Sequence, residues 1–124
     1  MVLDRPSMKP SLKLLALVFV GGAIGSALRY AVGLQLDDLA ALVAVNALGT
    51  FALGFVNARK RPEWVTNLFG VGFAGGFTTM SGVSVLLTTV TLGSLIPLVA
   101  YVAAMIFAGI FSYWLGQAIG KERK

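Results

Sequence analysis

The chain has 124 residues, 57% of them hydrophobic and 12% charged, and carries a net charge of +5. A soluble domain gives about a quarter of its residues to Asp, Glu, Lys and Arg, so this composition excludes an ordinary wetted globule and indicates an all-α integral membrane protein in a lipid bilayer. Cys and His are both absent, which removes disulfides, thiolate and imidazole catalysis and nearly every transition-metal site.

The chain predicts four spans, near 13–34, 39–58, 65–90 and 95–119, in a single four-helix transmembrane domain covering 1–124. Span 1 begins after Lys13 and is interrupted only by Arg29. Arg5, Lys9 and Lys13 before an apolar stretch resemble a leader peptide, but the stretch continues well beyond the usual 7 to 15 residues, which argues for a retained span. Leu39 to Ala58 is free of charge and matches one crossing of about 20 residues. Trp64 to Gly120 is also free of charge, far too long for one helix, so it folds back on itself. The turn is expected at Thr88 to Ser94, with Pro97 in the first turn of the last span.

Lys and Arg are retained on the cytoplasmic side of a membrane. Arg5, Lys9 and Lys13 precede span 1, Arg59, Lys60 and Arg61 follow span 2, and Lys121, Arg123 and Lys124 follow span 4. The opposite loops hold only Asp37 and Asp38. This distribution predicts one topology in the cell membrane with both termini cytoplasmic, and it attributes the positive charge to topology, with no nucleic acid implied.

Gly21 and Gly25, Gly72 and Gly76, and Gly116 and Gly120 are each four apart, a spacing that lets helix backbones approach inside or between subunits. Spans this few cannot enclose a pore alone, so an oligomer is expected. No Asp or Glu lies inside a span, which argues against a proton-coupled cation exporter. It also argues against an enzyme, since Ser81 has no evident base.

Polar groups inside spans mark function. Arg29 either snorkels to the outer headgroups or sets a positive charge at an anion vestibule. Asn46 is either an interhelical clasp or a donor to a permeating anion. Gly72 to Gly82 crowds glycines and hydroxyl residues into mid-span, a pattern that suits either a helix broken at its centre, with freed backbone groups available to an ion, or a tightly packed flexible helix.

Three stretches, Gly21-Gly22-Ala23-Ile24-Gly25-Ser26-Ala27-Leu28-Arg29-Tyr30, Val45-Asn46-Ala47-Leu48-Gly49-Thr50-Phe51 and Gly72 through Ser81, resemble the signatures of the Fluc (CrcB) fluoride channels. Their order and spacing match over about residues 13 to 120. The resemblance implies a dual-topology-type antiparallel dimer, a broken third helix and two narrow fluoride pores. It also implies a structural Na+ held by backbone carbonyls, here those of Gly75 and Thr78.

The chain departs from the family pattern where the pore is lined. Met80 and Val83 stand where the family places Phe, and Leu42 stands where a hydroxyl is usual. The polar track of span 4 aligns with Met105, Gly109 and Tyr113. Asn46, Ser81 and Ser112 remain as polar candidates beside the anion. A homodimer inserted both ways needs basic residues balanced across the membrane, and this chain is strongly biased. The expected role is therefore the pore-degraded half of an antiparallel heterodimer with a homologous partner. A homodimer with an unusual pore and a non-conducting structural or regulatory subunit are the alternatives.

Overall fold

The computed structural model describes residues 11–88 and 95–121. Most of the turn expected at Thr88 to Ser94, and the basic residues Arg5, Lys9, Arg123 and Lys124, lie outside the described residues. Within them the secondary structure is entirely helical, and four helices are long and apolar enough to cross a membrane.

Helix α1 covers Leu12–Gly33 and starts at Ser11, whose hydroxyl accepts the Leu14 amide at 3.2 Å. Helix α2 covers Asp38–Asn57; the Asp37 carboxylate accepts the Ala40 amide at 2.9 Å, and Asp38 adds negative charge to the first turn. Both caps satisfy amides that have no partner inside the helix. The third crossing is assembled from shorter pieces: α3 (Glu63–Val65), a π-helix π1 (Thr66–Ala74) and α4 (Gly75–Phe77). Its backbone leaves helical geometry at Thr78 (φ −76°, ψ 160°), and helix α5 covers Ser81–Thr88. Helix α6, Leu95–Gly120, is apolar apart from Tyr101, Ser112, Tyr113 and Gln117.

The helices associate as two parallel pairs, α1 with π1 and α4, and α2 with α6, and α2 also touches π1. The register of the second pair follows from its two ends. The Tyr101 hydroxyl donates to the Leu39 carbonyl at 2.9 Å near the start of both helices, and Arg59 Nε donates to the Gly120 carbonyl where both finish.

The glycine pairs explain the closeness of these contacts, and all three are used inside the subunit. A Cβ at Gly25 would stand 2.8 Å from the Phe77 amide nitrogen, and one at Gly72 would stand 2.7 Å from the Val18 carbonyl oxygen. On the other pair, a Cβ at Gly116 would come within 2.9 Å of the Phe55 amide nitrogen. Backbone therefore rests on backbone at both interfaces, the close approach that small residues permit in hydrocarbon. Outside these seams the surface is apolar: Phe19, Ile96, Phe107, Ile110 and Trp114 are all well exposed, as suits helices that meet lipid.

Candidate functional site

The site forms where the third crossing stops being helical. A helix ending at Phe77 leaves its last carbonyls without the amides of a following turn. Ala74 is served locally, because its carbonyl accepts both the Thr78 amide at 3.0 Å and the Thr78 hydroxyl at 2.9 Å. The Gly76 carbonyl accepts the Ser26 hydroxyl at 3.3 Å, and the Thr78 carbonyl accepts Arg29 Nη1 at 3.0 Å. Helix α1 thus supplies the donors for two of these groups.

Helix α2 supplies a clamp. Asn46 Oδ1 accepts the Thr79 amide at 2.8 Å while its Nδ2 donates to the Thr79 carbonyl at 3.2 Å. One side-chain amide therefore pairs with both backbone groups of one residue, as a neighbouring strand would. Continued helix would have sent the Thr79 amide to the Gly75 carbonyl four residues back. With that amide on Asn46, the Gly75 carbonyl is left without it, and Gly75 is exposed with no atom within 4 Å of where a Cβ would stand.

A cavity of about 470 Å³ opens beside the clamp between α2, the break and α6. Asn46, Thr50, Thr79 and Tyr113 give it polar atoms, while Met80, Met105, Ile106, Gly109 and Ile110 make the rest of its wall apolar. The polar atoms are largely engaged. The second Asn46 Nδ2 hydrogen points to Met105 Sδ at 3.7 Å, a weak acceptor. The Thr50 hydroxyl donates back to the Asn46 and Ala47 carbonyls at 2.8 and 3.1 Å. Tyr113 differs, because its hydroxyl oxygen accepts from Asn57 Nδ2 at 3.5 Å and Gln117 Nε2 at 3.1 Å. Its own proton is thereby left for another acceptor.

Not all of the residues singled out in the sequence come together here. Asn46, Thr78 and Met80 line the cavity, and Met80 is 76% exposed. Ser81 is next to it, its hydroxyl 2.9 Å from that of Thr79. Ser112 is half-buried on α6 and outside the cavity lining, and Val83 is buried inside the subunit, as is Leu42. Arg29 reaches inward to the break and also borders a second cavity of about 370 Å³ whose other wall includes Asp38 and Leu42. The sequence does not single out the Ser26 contact to the break or the pairing of Tyr113 with Gln117; the signal for the second is the four-residue spacing of two polar groups in a largely apolar helix.

The implied Na+ can be tested against these donors. Gly75, an exposed residue, offers a carbonyl that the Thr79 amide does not cover, and Thr78 offers one with a lone pair left after Arg29. Neutral carbonyl oxygens are the donor type a hard cation takes. The residues fit such an ion, although the guanidinium beside Thr78 opposes its charge.

Known proteins place the chain. The family model described as CrcB-like protein, Camphor Resistance (CrcB), matches residues 16–117. A fluoride-specific ion channel FluC 2 of Bacillus subtilis (strain 168) is 36% identical over 119 residues, 90% of each chain. Another FluC 2, of Bacillus licheniformis, is 40% identical over 114 residues and 85% of each chain. The FluC of Ruegeria pomeroyi is 39% identical over 115 residues, covering 86% of this chain and 90% of the relative. These relatives are ion channels, not enzymes. With four apolar crossings and a family match over nearly its whole length, the chain is a multi-pass membrane protein belonging to the CrcB family.

Proposed function

We propose that this chain is one subunit of a passive, fluoride-selective channel that lets fluoride leave the cytoplasm, paired in the cell membrane with an oppositely oriented homologue. The observation that carries the reading is the interrupted third crossing beside a half-open cavity, in a chain whose relatives carry the name fluoride-specific ion channel. Fluoride gives up water only to hydrogen-bond donors that replace it. On this chain those donors are the Asn46 amide hydrogen now resting on Met105 and the Tyr113 hydroxyl.

The same residues argue that this half of the path is weak. Met80 and Met105 offer no donor, Gly109 offers no side chain, and Val83 is turned into the subunit. The partner would supply the missing donors, and the basic bias of one face of the chain gives the subunit one orientation, with both termini cytoplasmic. The broken third span is the natural meeting point of two such subunits. The carbonyls of Gly75 and Thr78 would hold a Na+ there, whose charge offsets that of a neighbouring anion.

The test is fluoride efflux from liposomes. The chain alone is expected to pass little fluoride, and co-reconstitution with an inverted homologue is expected to restore efflux with little chloride leak and no need for a proton gradient. Robust efflux by the chain alone would replace the heterodimer with a homodimer. No efflux in any pairing would replace the channel with a structural subunit.

A further inference from the structure

A third concave surface lies away from the break. It is a groove of about 370 Å³ between α2 and the third crossing, walled by Phe51, Phe55, Val65, Phe69 and Phe73, with Arg61 at its end. The groove belongs to membrane-spanning helices, so its apolar length lies at the depth of the hydrocarbon.

Its polar end is unusual. The Arg61 guanidinium lies 5.6 Å from the centroid of the Phe55 ring, and that of Arg59 lies 5.9 Å from the same ring. Two cations thus converge on one aromatic side chain. Arg59 Nε donates to the last carbonyl of α6. Arg61 Nε is shielded from water and meets no acceptor among the described residues. Nε therefore adds no compensation for the charge, and an anion approaches the guanidinium through its Nη groups, which are not among the buried atoms.

We propose that this groove is a binding site for an anionic phospholipid, with one acyl chain between Phe51, Phe55, Phe69 and Phe73 and the phosphate on Arg61. A guanidinium suits a phosphodiester because its fork of donors matches the phosphate oxygens. The apolar channel and the cation are contiguous, in the order in which a phospholipid presents chain and headgroup. A second copy in the same orientation would instead bring another Arg59-Lys60-Arg61 run to this level, like charge against like. The inference is independent of what the subunit conducts.

Native mass spectrometry of the purified, unmodified protein with chain-matched phosphatidylglycerol and phosphatidylcholine tests it. The expected result is preferential retention of phosphatidylglycerol, reduced about fivefold by Arg61→Gln, as losing one cation at a membrane surface implies. Ala52→Trp, which fills the groove, should release lipid while the mass of the protein assembly stays the same. Equal retention of the two lipids by the unmodified protein would overturn the proposal, as would retention unaffected by Arg61→Gln. A change of assembly mass in Ala52→Trp with lipid still bound would identify the groove as a protein interface and overturn it as well.

Discussion

Replacing Asn46 with Ala removes the acceptor of the Thr79 amide and the donor to the Thr79 carbonyl in one change. Hydrogen bonds between membrane helices contribute about 0.6 kcal/mol on average and about 1.7 at most. Losing two therefore costs roughly 1 to 3 kcal/mol. The lower end applies if the freed Thr79 amide closes on the Gly75 carbonyl, and the upper end applies if both groups stay unpaired. Equilibrium unfolding in mixed detergent micelles measures the loss. Thr50→Ala is the control, because its hydroxyl bonds only to its own helix and its removal should cost less than about 0.5 kcal/mol. Asn46→Asp keeps the acceptor and loses the donor, so it separates the two bonds. An Asn46→Ala protein as stable as the parent, in a channel with unchanged fluoride efflux, would refute the clamp.

Glycine substitutions should divide by location. Gly25→Leu forces side-chain atoms into the backbone of Phe73 and Phe77 and should prevent α1 from seating, seen as loss of the folded monomer on gel filtration. Gly75→Val meets nothing within the subunit and should leave the monomer intact while weakening pairing, so a folded Gly75→Val chain that still pairs normally would remove Gly75 from the contact. Rebuilding the absent rings should be just as uneven: Met80→Phe is tolerated at an exposed position, while Val83→Phe overfills a buried one and should cost about 1 to 3 kcal/mol in the same unfolding assay. A reporter fused after Lys124 should be active only in the cytoplasm, and equal activity on both sides would remove the reason for a separate partner.

The helical class and the four apolar crossings were legible because lipid imposes a length and a charge rule that a sequence obeys visibly. Asn46 was also recognisable as a group that must find partners. What it pairs with was not legible, since Thr79 is 33 residues away and only the folded packing brings them together. The glycine spacing announced close contacts and could not say with which helix. The structure assigns all three pairs to contacts inside the subunit, because Gly21 and Gly25 face Gly72 and Phe77 while Gly116 and Gly120 face Phe51 and Phe55. The π-helix left no trace, since its glycines and large apolar side chains from Leu68 to Phe73 are those of many α-helices. Val83 shows the limit of alignment, because the motif gives its place in the chain but not which way the helix after the break is turned.

The break itself divides into two sides with different demands. Toward the subunit, the Gly76, Thr78 and Thr79 carbonyls are met by Ser26, Arg29 and Asn46, all from helices of the same chain. Away from it, Gly75 lies on the exposed face, and the clamp on Thr79 has removed the amide that would have covered its carbonyl. A backbone carbonyl left without a donor at membrane depth costs several kcal/mol. Under the proposed reading this cost favours pairing at the break, since a partner and a cation together satisfy what one chain leaves open. The sealed glycine seams then have a purpose in assembly: they hold the four helices rigid without using the exposed face, so the surface that remains polar is the one on which a second subunit must act.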